Sequence, residues 1–503
     1  MRVAIIGAGI SGLAFAKVLS RFSHECVVFE KNDRIGGIWA LSYPSVRLQN
    51  SREQYHFSDL PWPENCDQHP TATQVLTYLE RAIEHFNIDV RLNHNVIALE
   101  EIGKQWKLCV RNGGVEETQL FDYVVVSVGQ YAEGKIRPSF DGEEKFSGTI
   151  VTERDVKSLN VFDDKRVAVV GFGKSALDMV SLAVDRARRV EHVFRTPRWL
   201  VPFRLLGVHY TYPFFPRAST IFMPSWIHGS SVERNMHKSF PMVVKAFWKM
   251  ITSVIRQHIR AYGKKHDAAG KARLEAITPK HPFVRDLRSA TAMAPPRYFE
   301  YVGAGAIEPH QGELKGFDES GLCLSNGEHI DADVVVLSLG SNSPEFPFLP
   351  QHYRELLEGE PDGVQLYRHV LHPRVPRLAF AGYNHGFLHV PAAEIGALWL
   401  GAVMRGDIAL PSSEEMERSL NAVRSWKRDH VQFEPSRSCA VSTRFQQYID
   451  AMLLELKISR WRKMPNVFAE CFSRYGASDY ADVVDEYLAR EPQAPHAVLQ
   501  QDV

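Results

Sequence analysis

The sequence predicts an α/β fold built on two Rossmann-like units, with antiparallel meanders, a helical insertion and a helical C-terminus. Three observations predict it. The chain opens with the apolar run Arg2-Val3-Ala4-Ile5-Ile6, a glycine turn Gly7-x-Gly9-x-x-Gly12, and an amphipathic stretch through Leu13, Val18 and Leu19. A second strand, turn and helix follow at Arg166-Val167-Ala168-Val169-Val170 and Gly171-x-Gly173-Lys174-Ser175-Ala176. Each copy is later closed by a strand that opens D-x-V-V, Asp122-Tyr123-Val124-Val125-Val126 running to Gly129 and Asp333-Val334-Val335-Val336-Leu337 running to Gly340.

The glycine turn has a physical reason at each position: Gly7 for a tight turn, Gly9 for close approach of a pyrophosphate, Gly12 for packing of helix on strand. Phosphates at such a turn rest on the helix N-terminus, beside Ser11, where unpaired N–H groups and the macrodipole favour negative charge. The second strand, Cys26-Val27-Val28-Phe29, ends in Glu30 and Lys31. Glu30 stands near the expected ~20-residue spacing for a carboxylate that accepts hydrogen bonds from ribose hydroxyls. This unit therefore reads as a dinucleotide site.

Downstream, Gly36-Gly37-Ile38-Trp39 suits a backbone passing close to a cofactor, and Leu48-Gln49-Asn50-Ser51 is a loop. Residues 74–86 have helical periodicity, and Val90 to Val96 reads as a strand. Alternating runs at 106–110 and 116–121, joined at Asn112-Gly113-Gly114, predict an antiparallel meander. In the second unit the strand Val190 to Phe194 ends at Arg195, followed by Arg198. An acid at this point favours a free ribose 2′-hydroxyl, whereas arginine pairs with a 2′-phosphate. The first unit, with Glu30, is thus expected to take FAD, and the second NADPH.

The segment from Trp199 to about Tyr262 is rich in aromatic residues and admits three readings: ordinary core, the wall of an apolar substrate pocket, or a greasy surface for a membrane or partner. Later, Leu378-Ala379-Phe380-Ala381-Gly382 is a strand and Ala392 to Met404 a helix, a natural place to finish the flavin site at Gly382. The expected division is 1–150 (FAD-binding, first part), 151–340 (NADPH-binding, insertion at about 200–295), 341–411 (return to the FAD domain) and 412–503 (C-terminal helical extension, with a tail from Pro492).

At 503 residues the chain can bury a large core, and its 59 basic and 59 acidic residues balance, leaving no electrostatic footprint for nucleic acid. The six cysteines show no CxxC pair and no zinc-ligand spacing, so no metal is expected and a thiol–disulfide reductase is excluded. No uncharged apolar run is long enough to span a bilayer, and a first strand beginning at Arg2 leaves no room for a signal peptide. A cytoplasmic protein is expected, with peripheral membrane contact and homo-oligomerisation both left open.

Taken together, the motifs resemble those of the class B flavin-dependent monooxygenases, the flavin-containing and Baeyer–Villiger group. The matching positions are the two glycine turns, Glu30-Lys31, Gly36-Gly37-Ile38-Trp39, Asn50 with Phe57-Ser58-Asp59-x-Pro61, Phe146-x-Gly148, Arg154-Asp155, Asp178, Arg195-Thr196-Pro197-x-Trp199 and Glu394. The resemblance runs from Met1 to about Gly406. It implies that Gly37, Ile38 and Trp39 line FAD, that Gln49 and Asn50 lie beside flavin and nicotinamide, and that Ser175 to Asp178 with Arg195 hold NADPH. It further implies that Asn50 is catalytic, hydrogen-bonding an oxygenated C4a-(hydro)peroxyflavin formed from O₂. The family fingerprint F-x-G-x-x-x-H has Thr152 in its last position here. The expected reaction is oxygenation of a small or medium apolar substrate at nitrogen or sulfur. Baeyer–Villiger oxidation of a ketone and flavin-dependent halogenation are the alternatives, and a non-catalytic redox flavoprotein is the rival of another class.

Overall fold

A computed structural model describes residues 1–131, 134–227, 230–287, 292–430, 439–490 and 495–498. Two five-stranded parallel sheets organise it. The first runs, in spatial order, Leu378–Phe380, Tyr123–Val126, Arg2–Ile6, Glu25–Phe29 and Asp89–Arg91. Its central strands are covered on both faces, which is why they read as continuous apolar runs rather than alternating ones. One cover is the helix Ile10–Ser20, packed in turn against the helix His389–Arg405.

The second sheet runs Glu308–Gln311, Arg189–Phe194, Arg166–Val170, Val334–Leu337 and Thr149–Thr152, again all parallel. Each sheet has a three-stranded antiparallel partner. The first is His94–Ile102, Gln105–Asn112 and Val115–Phe121; the second is Leu314–Phe317, Gly321–Leu324 and His329–Asp331. The single strand expected at 90–96 is in fact two. Asn93 sits at φ 58°, turning the chain out of the parallel sheet at Arg91 and into the meander at His94. Such a left-handed residue is tolerated by asparagine and invisible to a hydrophobic pattern.

The aromatic segment is largely core: Trp199, Tyr210, Phe215, Trp226 and Trp248 are buried, while Tyr212 and Phe240 are exposed. Its long helix is Pro241–Gly263. Near the C-terminus, helix Phe445–Glu455 is buried on nearly every side and packs on His389–Arg405. Its Asp450 accepts from the guanidinium of Arg217, which also pairs with Glu470, tying this region to the insertion. The tail from Pro492 falls in part outside the described residues. Among the described residues, no helix is long and apolar enough to cross a membrane, and the six cysteines are free.

Candidate functional site

Both glycine turns open into one continuous cleft of about 1810 Å³. In the first turn the three glycines differ physically. Gly7 has φ +110°, and a Cβ there would lie 2.4 Å from the carbonyl oxygen of Ser127; one on Gly12 would lie 2.2 Å from that of Gly7. A Cβ on Gly9 would meet nothing within 4 Å. Two glycines are therefore required by the fold itself, and the third leaves an open face toward the cleft.

The second turn repeats the pattern. A Cβ on Gly171 (φ +133°) would lie 2.3 Å from the Ser338 carbonyl oxygen, and one on Gly173 would meet nothing within 4 Å. Gly9 and Gly173 are the N-caps of the helices Ile10–Ser20 and Lys174–Ala183, so each open face is also a helix N-terminus. Backbone N–H groups with no side chain in the way, at the positive end of a helix, suit a pyrophosphate. The residues present fit two dinucleotides.

The charges at the two strand ends are opposite. Glu30 is buried; its Oε2 accepts from the Ala8 backbone N–H at 2.9 Å and its Oε1 from the Asn32 N–H and Nδ2 at 3.0 and 2.6 Å. At the equivalent end of the second unit, Arg195 and Arg198 line the cleft. Lys31, Gly129, Lys174, Ser175, Gly340 and Gly382 also line it. Gly37 stacks on the first turn, a Cβ there lying 3.4 Å from Cα of Gly9. Ile38 and Trp39 follow in the same wall, with the Trp39 indole N–H donating to Tyr55 Oη at 3.0 Å.

Gln49 and Asn50 stand where three distant parts of the chain converge. Gln49 Oε1 accepts from the Met293 N–H at 2.8 Å, and the Asn50 side-chain amide donates to the Phe387 carbonyl. Both line the cleft. The loop that carries Phe387 continues into His389, which is buried, with Nε2 2.9 Å from Ser11 Oγ. Burial pushes this imidazole down to about 4, so it is neutral at neutral pH. The chain thus holds a neutral histidine under the first turn; a lone histidine beside Gly382 reads from sequence as a packed or solvated loop residue rather than a proton donor, and its bond to Ser11 carries no spacing signal.

Four of the expected site residues do not line the cleft: Gly12, Ala176, Asp178 and Glu394. Gly12 and Ala176 pack beneath the turns. Asp178 pairs with Lys174 and accepts from Tyr43 Oη at 2.7 Å. Glu394 faces the other side of its helix. Its Oε1 lies 2.5 Å from Lys17 Nζ and its Oε2 accepts from the Ser58 N–H at 3.0 Å. Burial pushes its carboxyl up while the Lys17 ammonium opposes the shift. Lys17 also pairs with Asp59 at 2.5 Å, so the Phe57-Ser58-Asp59 stretch and Glu394 form one clamp behind the helix Ile10–Ser20, buried at Lys17 and Glu394 and open to solvent at Asp59.

Comparison with known proteins agrees with this geometry. The model of the flavin-binding monooxygenase-like family matches residues 1–268 and 297–469. The chain is 29% identical to a probable flavin-containing monooxygenase 1 of Arabidopsis thaliana, over 95% of this chain and 96% of that one. Among solved structures it resembles an open form of cyclohexanone monooxygenase, with a TM-score of 0.65 at 17% identity, covering 97% of each chain. It also resembles the S-allyl-L-cysteine S-oxygenase of Allium sativum, with a TM-score of 0.63 at 20% identity, covering 91% of this chain and 89% of that one. With two phosphate cradles on one cleft and a family match over most of its length, this chain belongs to the flavin-binding monooxygenase-like family and is a flavin-dependent monooxygenase.

Proposed function

We propose that the enzyme uses FAD and NADPH to transfer one oxygen atom from O₂ to nitrogen or sulfur of a small or medium apolar substrate. The observation that carries the reading is the pair of open glycine faces, one under a carboxylate-ended strand and one under a guanidinium-ended strand, on a single cleft. FAD held at the first turn supplies the redox chemistry, accepting reducing equivalents from NADPH and activating O₂.

The chain's own residues bind, orient and exclude water. The N–H groups at Gly9 and Ser11 hold the FAD pyrophosphate and Glu30 its ribose, while those at Gly173 to Ser175 hold the NADPH pyrophosphate. Arg195 and Arg198 pair with the 2′-phosphate, which is dianionic enough to make two charge-assisted bonds outweigh a neutral contact. Gln49 and Asn50 present amides to the space between the two turns; the Asn50 amide keeps its orientation through its bond to the Phe387 carbonyl. Lys17, Asp59 and Glu394 act through position, bracing the helix whose N-terminus carries the first turn. His389, being neutral, is a hydrogen-bonding partner of Ser11 and no proton reservoir at neutral pH.

The test is a screen of amines, sulfides and ketones for substrate-dependent NADPH consumption, with product mass and fragmentation measured. A gain of one oxygen on nitrogen or sulfur is expected. NADPH consumption independent of every substrate, with no oxygenated product, would overturn the reading.

A further inference from the structure

We propose that Asp318, Cys323 and His329, on the second meander, form a binding site for a zinc-type divalent ion, away from the cofactor cleft. Their donor atoms all lie within 4.8 Å of one another, and none of the three lines the cleft. The topology brings them together. Cys323 and His329 are directly opposite on the antiparallel strands Gly321–Leu324 and His329–Asp331, so their side chains share a face. Asp318 follows the preceding strand, Leu314–Phe317, in the turn that leads into Gly321.

The Asp318 carboxylate is already oriented. Its Oδ1 accepts from the Ser320 N–H at 2.8 Å, from Ser320 Oγ at 3.0 Å and from the Gly321 N–H at 3.0 Å. That leaves Oδ2, 2.8 Å from His329 Nε2. Ser320 Oγ lies 3.3 Å from the same nitrogen. On the far side of the ring, His329 Nδ1 faces Asp331 Oδ1 at 3.6 Å, and Asp331 is itself held by Arg166 at 3.1 Å. With a carboxylate facing Nδ1, Nε2 is the nitrogen turned toward the other two donors, and the ion would replace its present contact with Asp318 Oδ2.

One thiolate, one imidazole and one carboxylate select Zn²⁺ or Co²⁺ over Mg²⁺ and Ca²⁺, and water completes a tetrahedron. Binding deprotonates the Cys323 thiol: the S–H bond breaks, an S–metal bond forms and one proton leaves to solvent, with no change of oxidation state. The consequence is local stiffening. Ser147 donates from both N–H and Oγ to the Glu319 carbonyl at 3.1 and 2.7 Å, so the turn that carries the site also anchors the segment entering the second sheet.

The holoenzyme, dialysed against a chelator, is titrated with Co²⁺ and followed by difference spectroscopy, then with Zn²⁺ in competition. One Co²⁺ per chain is expected, with a thiolate-to-cobalt charge-transfer band that disappears in Cys323→Ser and Cys323→Ala. His329→Asn is expected to weaken binding by more than the roughly 10–100-fold that losing an outer-shell partner costs, and Cys109→Ser to leave it unchanged. Melting curves of the metal-free variants check that they fold as the parent does. No charge-transfer band, a band that survives both Cys323 variants, or displacement by excess Mg²⁺ would each overturn the assignment.

Discussion

Gly173→Ala separates a glycine kept for room from one kept for shape. Gly173 has φ −87° and ψ 179°, extended backbone open to any residue, and an added Cβ meets nothing within 4 Å. As an N-cap without side-chain bonding, its exchange for alanine costs the fold less than about 1 kcal/mol. The new methyl instead occupies the open face where phosphate oxygens accept from backbone N–H groups. Losing one hydrogen bond to a charged group costs about 1.5–3 kcal/mol, or roughly 10–150-fold in Kd. Calorimetric titration of the FAD-loaded enzyme with NADP⁺ should show that loss, with flavin content and melting temperature held. Gly171→Ala is the contrast: at φ +133°, with a Cβ 2.3 Å from a carbonyl oxygen, it must shift backbone and should lose stability. Gly9→Ala should mirror Gly173→Ala on the flavin side. If NADP⁺ affinity changes by less than about twofold in Gly173→Ala, the cradle assignment is refuted.

Four further outcomes follow from the site. Arg195→Ala should raise KM for NADPH far more than for NADH; equal changes in steady-state assays would remove the 2′-phosphate pairing. Asn50→Ala should retain FAD but divert NADPH oxidation toward hydrogen peroxide, read as peroxide released per NADPH, and unchanged coupling would clear Asn50 of a catalytic role. Glu394→Ala leaves the buried Lys17 with half its partners and should cost about 3–5 kcal/mol, whereas Lys17→Met with Glu394→Leu should cost much less than the two single changes together in denaturant titrations. Burial pushes both His192 and His389 down to about 4. With the folded value below the unfolded ~6.5, each contributes stability above that pH and loses it as pH falls toward 4, about 3 kcal/mol apiece. Melting temperature should drop across that window, and His389→Asn should flatten the slope; an unaltered slope would contradict the assignment.

The sheets, both turns and the opposite charges at their ends are legible in the sequence because their causes are local: glycine spacing, apolar runs and the residue that ends a strand. What was not legible depends on contacts between distant residues. Glu394 reads as a cofactor residue from its motif, yet its partner is Lys17 on another helix. Helix Phe445–Glu455 reads as a charged extension because Gln446, Gln447, Asp450 and Glu455 are polar. Each is buried, with Gln447 Nε2 donating to the Thr220 carbonyl and to Glu233 at 2.8 Å. A polar side chain satisfied by a partner two hundred residues away looks, in one dimension, like a solvated one. The Asp318, Cys323 and His329 grouping is hidden in one dimension for a related reason, since it is the strand register that brings Cys323 and His329 face to face.

The first sheet has a bearing on how the chain is made. Its outer strand Leu378–Phe380 and the brace supplied by Glu394 are translated long after Arg2–Ile6 and Lys17. Until they leave the ribosome, Tyr123–Val126 keeps a bare edge, and the Lys17 ammonium has Asp59 but not the buried Glu394 as a partner. The first sheet, begun first, is completed last, so a nascent chain stalled before Leu378 lacks both its outer strand and the Glu394 brace.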